Sequence, residues 1–421
     1  MNKRTIFLTV GLAMAMLAGW LLVTDNSAVW PIRNTLQYHL LVWLTGPITE
    51  PAPGPTGTLT GRVTDTAGAP LAGAWVLVAH RSGVTYHQRT DAAGQYRIED
   101  IPPGSYRPVA GAPGFESARW QQVDITANQT TEAEAVLSPL KPAQYSPGAN
   151  LRLSEPAAIE CGQPLQSKAV RREVFFDSGG QPNQPTFYYT PIKTAAASDL
   201  PLLLAIYPGP ADSWECASLP LAQAGFAVIA VGPAYTFELE ADLDEQSRLL
   251  DMARAGQFPA TTGRAIVLLG GSYSSLHVQR LLQRGQENLV AALLLGPPTD
   301  MFEMRRIQEN GTHTPPFGLD KAFIAVGLPD QESLRYWDYS GAYHVRPDFP
   351  PLAILHSRDD QVVPYQQSEL LAHNLDVVGA PHEDFYFAGA SHYLMAPGED
   401  ETTQKIYAFA LDFLARQIAP K

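Results

Sequence analysis

The stretch Ala265–Leu276 reads AIVLLGGSYSSL. Its first five residues, Ala265 to Leu269, are apolar and predict a short buried strand of a parallel sheet. Two glycines and Ser272 follow, and His277–Leu282 then places apolar residues at helical spacing. The stretch is strand, sharp turn, helix, with Ser272 at the tip. Such a turn strains the backbone and needs very small neighbours two residues to either side, which Gly270 and Ser274 provide. This is a close variant of G-x-S-x-G, the turn that lifts a serine hydroxyl above a sheet for nucleophilic attack. A glycine–serine turn that binds phosphate or caps a helix is the alternative.

The surroundings favour attack. Strand-like runs at Val174–Phe176, Phe187–Tyr189, Leu202–Tyr207 and Phe226–Val231 precede the stretch. Leu289–Leu295, Leu352–Leu355 and Phe385–Phe387 follow it. Helical patterns cover Leu239–Ala255, Gln366–Leu375 and Thr403–Gln417. Two early strands followed by strand–helix alternation predict an α/β domain: a mainly parallel eight-stranded sheet with helices on both faces.

A serine hydroxyl is a weak nucleophile at neutral pH and needs a base, which needs an orienting acid. The acid candidate is Asp360 in LAILHSRDDQVVP, just beyond a strand. Asp359 is the adjacent alternative, and capping of the next helix is the structural one. The base candidate is His392 in FYFAGASHYLM, also past a strand; His373 falls inside a helical pattern and His382 before its strand. The order Ser272, Asp360, His392 is the one such folds use. An oxyanion needs two donors. One is the N–H of Tyr273; the other comes from LLLAIYPGPADSW, where Pro208 and Pro210 have no N–H. That leaves the Gly209 N–H or the Tyr207 phenol.

From about Val170 onward the chain resembles an α/β-hydrolase of the prolyl oligopeptidase and dipeptidyl peptidase type. YPGP (Tyr207–Pro210), GGSYSS (Gly270–Ser275), HSRDDQVVPYQQS (His356–Ser368) and GASHY (Gly389–Tyr393) carry the resemblance. It implies that Tyr207 gives its hydroxyl to the oxyanion in preference to Gly209. It implies a serine peptidase that works through an acyl-enzyme without cofactor or metal. The chain departs from the family where Ser274 and Ser275 replace two glycines of G-x-S-Y-G-G, and it has neither a β-propeller nor a paired-glutamate motif for a peptide amino terminus. A carboxylesterase of the same fold is therefore the competitor, and a silent binding protein on this scaffold the third reading. Between the elbow and the acid loop, Met301, Phe302, Met304, Tyr336, Trp337, Tyr339 and Tyr343 are candidates to wall a substrate pocket; packing a cap is the alternative.

Ahead of the hydrolase segment, residues 169–421, the chain is modular. Ile6–Val23 is uncharged, and its length of about 18 residues suffices to span a bilayer. Lys3 and Arg4 before it and Asp25 after it place the N-terminus in the cytoplasm. Residues 1–24 are expected to anchor an extracytoplasmic protein in the membrane, with a cleaved signal peptide as the alternative. Residues 25–56 read as a stalk: Trp30–Leu44 predicts a packed or interfacial helix, and Glu50–Gly57 a proline-rich spacer. Residues 57–139 read as all-β, with short alternating runs separated by Asp65–Gly68, Asp91–Gly94, Pro102–Gly104 and Pro113–Gly114. GRVTDTAGAPLAGAWV (Gly61–Val76) and TDAAGQYRIEDIPPGSY (Thr90–Tyr106) resemble the carboxypeptidase regulatory-like family. That resemblance implies a separate transthyretin-like sandwich acting as a spacer or binding module and not a catalytic one; contact of this module with cell-wall or polysaccharide material is a further alternative. Residues 140–168 read as a linker. The formal charge of −13 disfavours nucleic acid and anionic membrane surfaces as partners. The two cysteines, Cys161 and Cys216, are expected to form a disulfide pinning the linker to the core; two buried thiols are the alternative.

Overall fold

The structure, a computed structural model, describes residues 16, 19–21, 29–141, 149–161, 165–177, 185–192, 199–233, 239–316, 319–389, 391–392 and 400–418. The expected membrane span over Ile6–Val23 lies outside these apart from Met16 and Gly19–Leu21. Among the described residues no helix is long and apolar enough to cross a membrane.

Runs such as Leu202–Ile206, Ala227–Val231 and Ile266–Gly271 are buried along their whole length, as expected for strands covered on both faces. With Leu289–Leu295, Leu352–Ser357 and His382–Phe387 they form a continuous parallel array, in which Leu202–Ile206 lies between Ala227–Val231 and Ile266–Gly271. Thr186–Pro191 and Leu165–Asp177 extend it antiparallel on one side. This is the predicted eight-stranded core. The whole sheet has ten strands, because Ala149–Leu153 and Ala157–Cys161 also pair with Leu165–Asp177. The segment read as a linker therefore carries the sheet's outer edge. The prolines around them gave the segment the look of a linker, although neither strand contains one.

Residues 57–139 fold into two small four-stranded sheets and a two-stranded ribbon around a core that includes Leu59, Val76, Ile98 and Leu137. Thr85–Arg89 is a strand that the sequence reading missed, because its side chains are polar and mostly exposed. This sandwich is not a bead on a string. Trp337 of the hydrolase segment donates from Nε1 to Ser117 Oγ at 3.0 Å, and Ser333 Oγ donates to Arg107 O at 2.5 Å. Trp75 meets Tyr343 edge-on at 5.6 Å.

The helix Trp30–Thr45, expected as part of a stalk, packs on the hydrolase segment. Pro31 in its first turn and Gly46 at its C-cap, with φ +86°, delimit it. Tyr38 donates to Glu309 Oε2 at 2.6 Å, and Lys321 Nζ lies 4.1 Å from the Tyr38 ring centroid. Cys161 and Cys216 form the expected disulfide, which joins the edge strand Ala157–Cys161 to the helix Glu215–Gln223.

Candidate active site

Ser272 sits where the strand Ile266–Gly271 turns into the helix Ser275–Arg284, with φ +52°. A non-glycine residue in this region is strained and is held there by its surroundings. A Cβ on Gly270 would lie 2.7 Å from Ser274 O and 2.8 Å from Val278 Cγ2, so the turn requires glycine at 270. Ser274 does what a glycine in its place does not. Its Oγ accepts from Gly271 N at 3.0 Å and lies 2.5 Å from Ile206 O and 2.8 Å from Gly271 O. Its one proton serves these two carbonyls, tying the elbow to the neighbouring strand. Ser275 Oγ donates to Ser272 O at 2.6 Å.

The structure brings Ser272, His392 and Asp360 together across 120 and 32 residues of chain. Ser272 Oγ lies 2.7 Å from His392 Nε2, and His392 Nδ1 lies 2.7 Å from Asp360 Oδ2. Asp360 is the partner, not Asp359, whose Oδ2 accepts from Gly389 N at 2.6 Å. Asp360 Oδ1 accepts from the N–H groups of Val362 and Val363 at 2.8 and 2.9 Å. Burial pushes the Asp360 carboxyl pKa up, but hydrogen bonds from His356 and His392 outweigh it and hold the group well below the carboxylate range. An ionised Asp360 only accepts, so His392 carries its proton on Nδ1 and presents the Nε2 lone pair to the Ser272 hydroxyl.

Two further residues shape this relay. His356 lies 3.2 Å from Asp360 Oδ2 through Nε2 and 2.9 Å from Val363 O, while its Nδ1 is 2.6 Å from Ser368 Oγ. Both neighbours of Nε2 are acceptors, so that nitrogen carries the proton. Gly296, with φ +53°, ends the strand Leu289–Leu295; a Cβ there would lie 3.3 Å from Asp360 Oδ2 and 3.6 Å from His392 Cε1. The sequence reading missed both. His356 and Gly296 leave no pattern of their own until the strand ends are side by side.

Tyr207 is a correction. It shares a sheet face with Leu203 and Ala205, as strand alternation dictates, and stacks on Trp214 at 5.4 Å. Its hydroxyl pairs with Ser218 Oγ at 2.9 Å, and burial raises its pKa. The phenol is thus engaged in the helix layer. Gly209 stands between Pro208 and Pro210, which line the same cavity as Ser272 and Tyr273.

That cavity holds about 1090 Å³, and its lining is mostly apolar. Met301 and Met304 belong to it, with Leu276, Phe323 and Val363. Phe302 and Trp337 do not line it and are corrected as pocket residues. Phe302 packs against Tyr336 at 5.4 Å, and Trp337 faces the sandwich.

A serine held on a strained elbow above a parallel sheet and joined through histidine to a buried carboxylate makes this chain a serine hydrolase of the α/β fold. Residues 240–421 match the prolyl oligopeptidase family, and residues 58–138 match the carboxypeptidase regulatory-like domain. No curated protein matches the chain. Among solved structures it is similar to Thermogutta terrifontis esterase 2 phosphonylated by sarin, at 17% identity and TM-score 0.44, over 56% of this chain and 92% of that one. A truncated carbohydrate esterase from gut microbiota is 20% identical, with TM-score 0.43, over 55% and 90%. The acetyl ester-xyloside bifunctional hydrolase of Caldicellulosiruptor lactoaceticus is 16% identical, with TM-score 0.43, over 55% and 87%.

Proposed function

We propose that the protein is an exported carboxylic ester hydrolase in which Ser272 is the nucleophile, His392 the base and Asp360 the orienting acid. The observation that carries this reading is the Ser272–His392–Asp360 chain opening onto an apolar cavity of about 1090 Å³. His392 Nε2 takes the Ser272 proton as Oγ bonds to the ester carbonyl carbon. The oxyanion that forms is met by the N–H groups of Tyr273 and Gly209. His392 returns the proton to the alkoxide as the C–O bond breaks and the alcohol leaves. Water, deprotonated by His392, then attacks the acyl-enzyme, releasing the acid and restoring Ser272.

Peptide hydrolysis is the second reading, favoured by the match of residues 240–421 to the prolyl oligopeptidase family. Rates on nitrophenyl esters beside aminoacyl-nitroanilides separate the two. The proposal predicts faster ester cleavage and fluorophosphonate labelling at Ser272. Asp360→Asn should lower kcat by about 10⁴ with the fold intact. Faster anilide cleavage overturns the ester reading, and absence of a Ser272 adduct overturns the mechanism. Export is supported by the Cys161–Cys216 disulfide, a bond that persists in oxidising compartments.

A further inference from the structure

The cavity at Ser272 is not closed by the hydrolase segment alone. One side of it is the N-terminal helix: Arg33, Gln37, Leu40, Leu41 and Leu44 line it. Their spacings of 4, 3, 1 and 3 residues put them on one helix face, read from their numbers in the chain. From Arg33 to Leu44 that face runs about 16 Å at a rise of about 1.5 Å per residue. The rest of the lining includes Ser272, Tyr273, Leu276, Met301, Met304 and Phe323. The helix is tied down by polar contacts at its middle and its C-terminal end: Tyr38 to Glu309 at 2.6 Å, and Arg81 to Thr45 O at 2.9 Å. Between those ties its leucines face open volume. Leu40 and Leu44 remain 43% and 65% exposed.

Leucines on a trough that water can enter gain only when an apolar occupant replaces the water. The nucleophile lines the same trough as the leucines, so its occupant is the part of the substrate attached to the reacting carbonyl. We propose that the helix Trp30–Thr45 is the acyl-chain wall of this active site and that its substrates are esters of long-chain fatty acids. The inference rests on the ester-hydrolase reading and extends it to a substrate class. The helix then acts as a specificity element contributed from outside the hydrolase segment.

The test is a series of nitrophenyl esters from acetate through butyrate and octanoate to laurate, on the full chain. kcat/KM should rise by about fourfold per added methylene while the chain is still being covered. Leu41→Trp, which fills the trough, should lower the laurate-to-acetate ratio of kcat/KM at least tenfold. Trp43→Ala, at an exposed position that does not line the cavity, should keep the wild-type ratio. Laurate itself should bind the Ser272→Ala chain in calorimetry, and binding should weaken in Ser272→Ala/Leu41→Trp. A profile that peaks at acetate or butyrate, or an unchanged ratio in Leu41→Trp, overturns the acyl wall. If that occurs with Ser272 still labelled and acetate still cleaved, the ester-hydrolase reading survives. Loss of labelling and of all ester cleavage in the wild type overturns both.

Discussion

Ser274 is buried, and its hydroxyl adds side-chain hydrogen bonds to Gly271 N–H and Ile206 O that glycine in its place could not make. In Ser274→Ala, Gly271 N–H and Ile206 O lose this partner, and a buried polar group left unpaired costs about 1–3 kcal/mol. The urea midpoint should therefore fall with the m-value unchanged; an unmoved midpoint would show that the hydroxyl holds nothing. His344 makes a pH prediction. Burial pushes its pKa down to about 3, and its Nε2 lies 2.9 Å from Trp337 O. The folded chain therefore keeps this ring neutral, while the unfolded chain protonates it below about pH 6.5. Its contribution is intact above that pH and is lost progressively as pH falls toward 3. From pH 7 to pH 5 it should cost about 2 kcal/mol. Denaturant titrations at the two pH values should show a smaller loss in His344→Gln; equal losses would refute the assignment. Ser272, Asp360 and His392 were legible in the sequence because each follows a strand signal in a known order. Tyr207 was misread because a motif names a residue type, whereas the alternation of its strand decides which face it occupies.

The strands of the parallel array were legible as apolar runs of three to seven residues, whereas the helices Glu215–Gln223 and Met301–Glu309 were not read. The edge strands Ala149–Leu153 and Ala157–Cys161 were not, because edge strands are short and only partly buried. The disulfide fastens one of them. It closes a separation of 55 residues between Cys161 and Cys216. Cross-links of this kind contribute about 2–4 kcal/mol, mainly by restricting the unfolded chain. Cys161→Ser/Cys216→Ser should melt several degrees lower. Protein denatured without reductant should show no reactive thiol; two reactive thiols per chain would remove the basis for both statements. The helix Trp30–Thr45 was visible as apolar, but its mixed polar residues did not say what it packs on. That depended on Glu309 and Lys321, about 270 residues away in the chain, as the 271-residue separation of Tyr38 and Glu309 shows.

At the scale of the molecule, the sandwich and the hydrolase segment share buried surface. Gly111 lies against the Trp337 indole: a Cβ there would stand 2.8 Å from Nε1 and Cζ2. Gly111→Ala should destabilise the protein by about 1–3 kcal/mol through overpacking. Calorimetry of the full chain should show the hydrolase transition shifting with that of the sandwich; a shift confined to the sandwich would mean that the contact does not couple them. The sequence by itself determined the two folding units, the strand-to-helix turn and the order of the triad, because local period, turn residues and strand ends are written in neighbouring positions. Only the tertiary structure decided where the Tyr207 hydroxyl points, that Trp337 serves the sandwich and not the cavity, and that a helix near the N-terminus walls the space beside Ser272. Those outcomes depend on which surfaces meet, and the free energy of such contacts belongs to pairs of residues that chain order leaves far apart.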